Sequence, residues 1–130
     1  MRNGRPVVAV IDDNPVNRLL VRRALEGVAE ISEFASMAYF LDAVDDVAPD
    51  MAFLDLMMPG EDIPALLATL AESKAELVAR IIVLTADPRL PEADAAAASG
   101  IIGVVERPFL KADFIALLNM TQDRMSGGRL

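Results

Sequence analysis

Residues 7–15 read VVAVIDDNP, and this stretch decides the fold. Its first five residues are all apolar and mostly β-branched, which is typical of a strand buried on both faces of a parallel sheet. Asn14 and Pro15 follow as an N-cap and a first-turn residue, and residues 15–25 repeat apolar positions at helical spacing. The stretch therefore predicts a buried strand that leads directly into a helix.

The same alternation of strand and helix continues along the chain. The predicted strands are residues 7–11, 30–34, 51–54, 81–84 and 103–105. The predicted helices are residues 15–25, 37–44, 63–71, an alanine-rich segment from Pro91 to Gly100, and 110–120. Because right-handed crossovers leave few topologies, this pattern predicts an α/β fold: a doubly wound, five-stranded parallel sheet of order 2-1-3-4-5 with helices on both faces. Ligands of such a sheet bind outside the carboxyl ends of the strands, near the switch point between the first and third.

The length of 130 residues is typical of one domain with a real core. We assign residues 1–120 to that domain. Residues 121–130, which include Gly127 and Gly128, are predicted to be a C-terminal tail or linker.

Composition excludes several classes of function. Twenty acidic against twelve basic side chains give a formal charge of −8 without a basic stripe, so we do not expect direct binding to nucleic acid. The chain contains no Cys and no His, which excludes thiol nucleophiles, Ser-His activation and the usual zinc ligands. No apolar run approaches the roughly 20 residues of a membrane-spanning helix, so no membrane insertion and a cytoplasmic location are expected.

Polar side chains follow the predicted strands at the points where the strands end. Asp12 and Asp13 follow the first strand, Asp55 the third, Thr85 the fourth and Arg107 the fifth. Because the carboxyl ends of parallel strands lie at one rim of a sheet, we expect these side chains to lie close together. Each residue alone is also compatible with a structural role, as a helix cap, a strand end or a surface cation. Their joint arrangement favours a binding site.

Asp55 is the strongest single indication, because it interrupts the apolar stretch 53–58 and a carboxylate near a sheet interior is costly unless it is paired. Three carboxylates at one rim repel one another, so the cluster needs a metal cation, a nearby Arg or Lys, or partial protonation. Oxygen ligands favour a hard ion such as Mg²⁺ or Mn²⁺. A hydroxyl and a cationic side chain beside the metal supply donors for the charge on a transferring phosphoryl group, and aspartyl phosphates are known covalent intermediates.

Four short motifs occur along the chain in the order expected of one family. They are Val10-Ile11-Asp12-Asp13-Asn14, Leu54-Asp55-Leu56-Met57-Met58-Pro59-Gly60, Ile82-Val83-Leu84-Thr85-Ala86 and Arg107-Pro108-Phe109. Each motif alone is weak, but four in register are specific. On these motifs, residues 7–118 resemble the receiver domain of bacterial two-component response regulators. That resemblance implies a flavodoxin-like fold, similar to that of the chemotaxis regulator, and a phosphoacceptor signalling function.

The resemblance also implies a role for each pocket residue. Asp12 and Asp13 would bind the metal, Asp55 would be both metal ligand and phosphoacceptor, and the Met57 backbone carbonyl would be a further metal ligand. The Thr85 hydroxyl would move toward the phosphoryl group on activation. Family members usually have a cis peptide at the position of Arg107-Pro108, which would turn the basic side chain into the pocket.

The sequence departs from the family pattern at three places. The usual lysine before the proline is Arg107, whose planar guanidinium is larger and can bind phosphate in a bidentate manner. Val104 stands where an aromatic switch residue is expected on the fifth strand. The loop after Gly60 lacks a second glycine. The main hypothesis is therefore a phosphorylation-driven switch, and the alternative is a phosphorylation-independent receiver that acts as a protein-interaction module.

The expected partners follow from the same resemblance. Because the chain has no His, the phosphodonor would be a histidine kinase, a histidine phosphotransfer protein or a small molecule, and the downstream protein is unknown. We expect self-catalysed gain and loss of the phosphoryl group on Asp55 and no enzyme activity toward other substrates. A metal-dependent phosphohydrolase is disfavoured because no second Asp follows two residues after Asp55, and a nucleotide-binding domain because no glycine-rich loop follows the first strand.

Overall fold

All five predicted strands and five predicted helices are present in the computed structural model, which describes residues 2–107 and 110–127. The strands are β1 Val7–Ile11, β2 Glu30–Phe34, β3 Met51–Asp55, β4 Ile81–Thr85 and β5 Gly103–Glu106. The helices are α1 Pro15–Ala24, α2 Met37–Val47, α3 Ile63–Ser73, α4 Ala75–Val78, α5 Pro91–Ala97 and α6 Lys111–Gly127. The single-turn helix α4 was not predicted, because a segment of this length shows no periodicity.

The strands form one parallel sheet in the order β2-β1-β3-β4-β5, so the predicted topology is confirmed. Val10 of β1 is level with Phe53 of β3, which in turn is level with Ile82 of β4. The chain runs from β1 outward to β2 and then returns to β3 on the other side. This reversal places the carboxyl ends of β1 and β3 side by side at the switch point.

Two apolar layers cover the two faces of the sheet. Alternate residues of one strand enter different layers: Ala9 and Ile11 pack with α2, α3 and α5, whereas Val8 and Val10 pack with α1 and α6. This division explains the continuous apolar run of β1, since both faces of the strand are buried. In the second layer the rings of Phe53 and Phe114 meet edge to face with their centroids 5.7 Å apart.

The predicted N-caps of two helices are confirmed by their hydrogen bonds. The Asn14 side chain accepts from the Val16 backbone N–H at 2.9 Å, and the Ser36 hydroxyl accepts from the Tyr39 N–H at 3.1 Å. Each bond satisfies a donor that has no partner within the helix. The cap of α1 matters for the site, because Asn14 directly follows the two aspartates at the end of β1.

The predicted end of the last helix at Met120 is wrong, because α6 continues to Gly127. No proline or glycine interrupts the segment before Gly127. Thr121 is buried and its hydroxyl donates to the Leu117 carbonyl at 2.8 Å. Residues 121–127 therefore extend the helix rather than leave it, and a linker role for the rest of the predicted tail stays a prediction. Within the described ranges, no helix is both long and apolar enough to cross a membrane.

Candidate functional site

Three carboxylates meet at the switch point of the sheet, as the sequence predicted. Asp12 and Asp13 follow β1, Asp55 ends β3, and one carboxylate oxygen from each lies within 4.8 Å of the others. Asp12 is buried, Asp55 is half-buried and Asp13 is exposed. The pairing of β1 with β3 brings them together although Asp55 is far along the chain from the other two.

Arg107, which directly follows the edge strand β5, also reaches this cluster. Its backbone N–H donates to the Thr85 carbonyl at 2.7 Å, which fixes the start of the side chain at the end of β4. One guanidinium nitrogen, Nη2, donates both to Asp12 Oδ2 and to Asp55 Oδ1, each at 3.0 Å. A single cationic side chain therefore bridges two of the three acids.

The electrostatic environment of Asp55 opposes its ionisation. Burial raises the pKa of this carboxyl above its ordinary value of 3.8, and repulsion from the Asp12 carboxylate raises it further. The Arg107 guanidinium and the Met57 backbone N–H, which donates to Asp55 Oδ1 at 3.4 Å, offset part of that rise in pKa. Nearby positive charge therefore favours the ionised form of Asp55.

The loop that carries Asp12 is held by hydrogen bonds on several sides. The Asp12 N–H donates to the Phe34 carbonyl at 3.0 Å, and Asp12 Oδ1 accepts from the Asn14 N–H at 2.9 Å. The Asp12 carbonyl accepts from Arg18 Nη1 at 2.6 Å. Sequence reasoning missed Arg18; the available signal was its place one turn after Asn14, with the acid Glu33 near the end of the neighbouring strand.

Thr85 reaches the predicted rim but not the carboxylates. Its buried hydroxyl accepts from the Asp87 N–H at 3.1 Å and donates to the Asp87 carbonyl at 3.3 Å. Among the described residues it makes no hydrogen bond to Asp12, Asp13 or Asp55. The movement of this hydroxyl toward a phosphoryl group therefore stays a prediction.

Two of the departures noted in the sequence have a clear position. Val104 is half-buried on β5, level with Val83, and packs against the core layer that contains α2, α3 and α5. The loop after Gly60 is tied down by Glu61, whose Oε1 accepts from the Met37 N–H at the start of α2 at 2.9 Å. Sequence reasoning missed this second cap of α2, and no local pattern indicated it.

Two predicted features of the pocket are not tested by these contacts. Pro108, the candidate for a cis peptide after Arg107, lies outside the described residues. The Met57 backbone carbonyl belongs to the loop beside Asp55, and its role as a metal ligand stays a prediction.

The chemistry of the cluster suits a hard divalent cation. All its potential ligands are oxygens, which Mg²⁺ and Mn²⁺ prefer. Three carboxylates and one guanidinium leave a formal charge of −2, which a divalent ion would balance. Asp13, which is exposed, remains accessible to an ion from solvent.

Comparison with known proteins agrees with the resemblance seen in the four sequence motifs. The family model for the response regulator receiver domain matches residues 8–119. The DNA-binding transcriptional regulator NtrC of Escherichia coli K12 is 31% identical over 115 residues, which are 88% of this chain and 24% of NtrC. NtrC of Klebsiella pneumoniae is 30% identical over 116 residues, with the same coverage. The chain thus spans about a quarter of the length of these relatives.

Solved structures show the same fold. NtrX from Brucella abortus has a TM-score of 0.82 at 26% identity, covering 96% of this chain and 28% of NtrX. The signal receiver domain of the putative response regulator NarL from Mycobacterium tuberculosis has a TM-score of 0.75 at 27% identity, covering 92% of this chain and 98% of that domain.

Proposed function

The chain belongs to the response regulator receiver domain family of two-component systems, which have a phosphoacceptor signalling role, and on that premise we propose that Asp55 is the residue that accepts the phosphoryl group. The observation that carries the proposal is the bridge from Arg107 to Asp55 and Asp12. The bridge joins a guanidinium, a group that can bind phosphate in a bidentate manner, to a half-buried carboxylate in a cluster with two further acids.

The hydrogen bonds of Asp55 indicate which atom reacts. Oδ1 already accepts from Arg107 Nη2 and from the Met57 N–H, whereas Oδ2 has no hydrogen bond within the described part of the chain. We infer that Oδ2 attacks the phosphorus of the donor. The new phosphorus–oxygen bond makes an acyl phosphate, and the bond from phosphorus to the donor breaks with its electron pair staying on the donor.

Arg107 then has two successive tasks. Before the reaction it stabilises the ionised carboxylate that the attack requires, because its positive charge opposes the rise in the pKa of Asp55. During the reaction its guanidinium donors are available to the phosphoryl oxygens, which carry the charge of the transition state. One cation thus serves first the nucleophile and then the transferred group.

Asp12, Asp13, Asp55 and the Met57 carbonyl are the residues that would hold Mg²⁺ or Mn²⁺. Such an ion supplies charge neutralisation at the phosphoryl oxygens when it is bound. The pocket acids give it oxygen ligands, of which Asp12 is buried and Asp13 is exposed.

The phosphodonor is proposed to be a histidine kinase, a histidine phosphotransfer protein or a small acyl phosphate, since the chain contains no His of its own. Phosphorylation would shift an existing equilibrium between two arrangements of the domain and so change its affinity for a downstream protein. Self-catalysed loss of the phosphoryl group and a cytoplasmic location belong to the same proposal. No finding favours the phosphorylation-independent alternative. That alternative was suggested by the departures from the family pattern at Arg107 and Val104, and Arg107 lies inside the pocket, where it pairs with Asp55.

The test is intact-protein mass spectrometry after incubation with Mg²⁺ and acetyl phosphate. We expect the wild type to gain the mass of one phosphoryl group and Asp55→Asn to gain none. Asp45→Asn is the matched control, because Asp45 is exposed and pairs with Lys74 away from the pocket. No gain in the wild type, with acetyl phosphate and with a phosphorylated histidine phosphotransfer protein, would refute the proposal, as would an undiminished gain in Asp55→Asn.

A further inference from the structure

The peptide that joins the two metal-binding acids is held by one side chain from α1. Arg18 Nη1 donates to the Asp12 carbonyl at 2.6 Å. That carbonyl belongs to the peptide unit between Asp12 and Asp13. Because a peptide unit is planar, a bond to its oxygen restricts the backbone angles on both sides, and so the directions of both carboxylates.

Arg18 is itself fixed by a second ion pair. Its Nε donates to Glu33 Oε1 on β2 at 3.2 Å, and the other oxygen of Glu33 accepts from Arg22. The Arg18 and Glu33 side chains are 18% and 26% exposed, so both are largely shielded from solvent. A guanidinium that binds through two nitrogens has little freedom to rotate. The orientation of the Asp12–Asp13 peptide is thereby tied to the sheet through Glu33.

Other contacts already support the backbone of α1 and β1. Asn14 already caps α1, the Arg18 backbone N–H bonds to the Asn14 carbonyl at 3.2 Å, and β1 is paired on both sides. The Arg18 guanidinium thus adds an interaction beyond what the helix and the strand need, and that interaction ends on the backbone of the pocket.

We propose that Arg18 is a positioning residue that pre-orients Asp12 and Asp13 for the divalent cation, with Glu33 holding Arg18 in place. The proposal rests on the proposed function of the pocket. Within the described ranges, Arg18 makes no hydrogen bond to the Asp12 or Asp13 carboxylate, so its effect is exerted through the Asp12 carbonyl. Partners of this outer kind typically change metal affinity by about 10- to 100-fold.

Charge and positioning have opposite effects on the affinity for Mg²⁺. A positive charge beside an acidic pocket weakens cation binding, so its removal would tighten Mg²⁺ if charge were its main contribution. Loss of the positioning contact would instead lower the affinity for Mg²⁺. The sign of the change in Arg18→Gln therefore separates the two explanations.

The experiment measures Mg²⁺ binding by isothermal titration calorimetry, and amide hydrogen exchange in the metal-free protein. We expect Arg18→Gln to bind Mg²⁺ roughly 10-fold more weakly and to exchange the Asn14 amide faster. Glu33→Gln should change the Mg²⁺ affinity and the exchange rate of the Asn14 amide in the same directions, each by a smaller factor. Arg22→Gln is the matched control, because Arg22 contacts Glu33 but not the Asp12 carbonyl, and it should stay within about twofold of the wild type.

Unchanged or tighter Mg²⁺ binding by Arg18→Gln would overturn the proposal, as would an equal loss in Arg22→Gln. If Arg18→Gln does not fold, the Mg²⁺ affinities of Glu33→Gln and Arg18→Lys test the proposal instead. Lysine keeps the positive charge but cannot bind the Asp12 carbonyl and Glu33 through a planar guanidinium, so Arg18→Lys should also bind Mg²⁺ more weakly than the wild type. At saturating Mg²⁺ the phosphorylation rate of a folded variant should recover toward that of the wild type. Failure of the wild type to accept a phosphoryl group would sink the proposed function alone, because the comparison of Mg²⁺ affinities does not depend on it.

Discussion

Replacement of Arg107 by methionine removes the guanidinium that bridges Asp12 and Asp55. The three side chains are 12%, 4% and 13% exposed, so the two carboxylates would be left in a poorly solvated site without a counter-ion. Methionine has a similar length and no charge, so the change is mainly electrostatic. We expect two opposite effects: a less stable metal-free protein and tighter binding of Mg²⁺.

The loss of stability follows from the two short contacts. Each donor–acceptor distance is 3.0 Å, and a pair of unit charges near 4 Å apart attracts by about 4 kcal/mol at an effective dielectric constant near 20. In the wild type, the cost of desolvating the guanidinium on folding offsets much of this attraction. Removal of one partner of a buried ion pair therefore costs about 3 kcal/mol net. For a domain of this size, that loss corresponds to a fall in Tm of roughly 10 °C.

Binding of Mg²⁺ should respond in the opposite direction. Arg107 occupies oxygens of two candidate ligands and repels a second cation, so its removal should tighten Mg²⁺ binding by at least about 10-fold, which is about 1.4 kcal/mol. The bound ion then replaces the missing charge. The deficit in Tm should therefore shrink as Mg²⁺ is added.

The assay is thermal unfolding of wild type and Arg107→Met at neutral pH across a Mg²⁺ titration. Arg89→Met is the control, because Arg89 is exposed and its ion pair with Asp87 lies outside the pocket. An Arg107→Met protein that binds Mg²⁺ no more tightly than wild type would refute the reasoning. So would a fall in Tm no larger than that of the Arg89 variant.

Three further predictions concern single residues of the site and its loops. In Asp55→Asn the metal-free protein should be more stable than wild type at pH 7 but not near pH 4, because the raised folded pKa of Asp55 makes its ionisation unfavourable to folding. This penalty in the wild type grows as pH rises from 3.8 toward the folded pKa and is complete above the folded pKa. Glu61→Ala should lower the unfolding free energy by about 1–2 kcal/mol, since the Met37 N–H loses its acceptor. Thr85→Ala should cost about 1 kcal/mol through its lost bonds to Asp87 and leave Mg²⁺ affinity unchanged.

Urea unfolding at the two pH values and Mg²⁺ calorimetry measure these changes. Glu61→Gln is the control for the α2 cap, because its amide oxygen can still accept from Met37 and most of the stability should return. An Asp55→Asn stability difference that stays constant between pH 4 and pH 7 contradicts the assignment of the pKa. A Thr85 variant with altered Mg²⁺ affinity would show that its hydroxyl contributes to the metal site.

The fold and the place of the site were readable in the sequence. Continuous apolar runs such as residues 7–11 and 81–84 indicate strands that are buried on both faces, and their regular alternation with helical periods leaves one common topology. Once the strands are parallel, Asp12, Asp13 and Asp55 must lie at one rim. Apolar runs and helical periods are local patterns of a few residues, so they can be recognised without knowledge of the tertiary contacts.

The length of the last helix was not readable in the same way. Gly127 and Gly128 suggested a loose tail, and the weak amphipathicity of the segment after Met120 gave no sign of where the helix ends. The structure continues the helix because Thr121 is buried and bonds back to the preceding turn. Burial against the rest of the domain, rather than local propensity, decided this element.

The choice of partners within the pocket was decided only by the tertiary structure. Arg107 and Asp12 are 95 residues apart, and their contact depends on the width of two strands and the reach of one long side chain. The contact of Arg18 with the Asp12 carbonyl and the turn of the Thr85 hydroxyl toward Asp87 are of the same kind. Sequence patterns specify the face and the rim on which a residue lies. Which of several nearby oxygens a donor binds depends on distances of a few tenths of an ångström, and these are set only when the elements pack together.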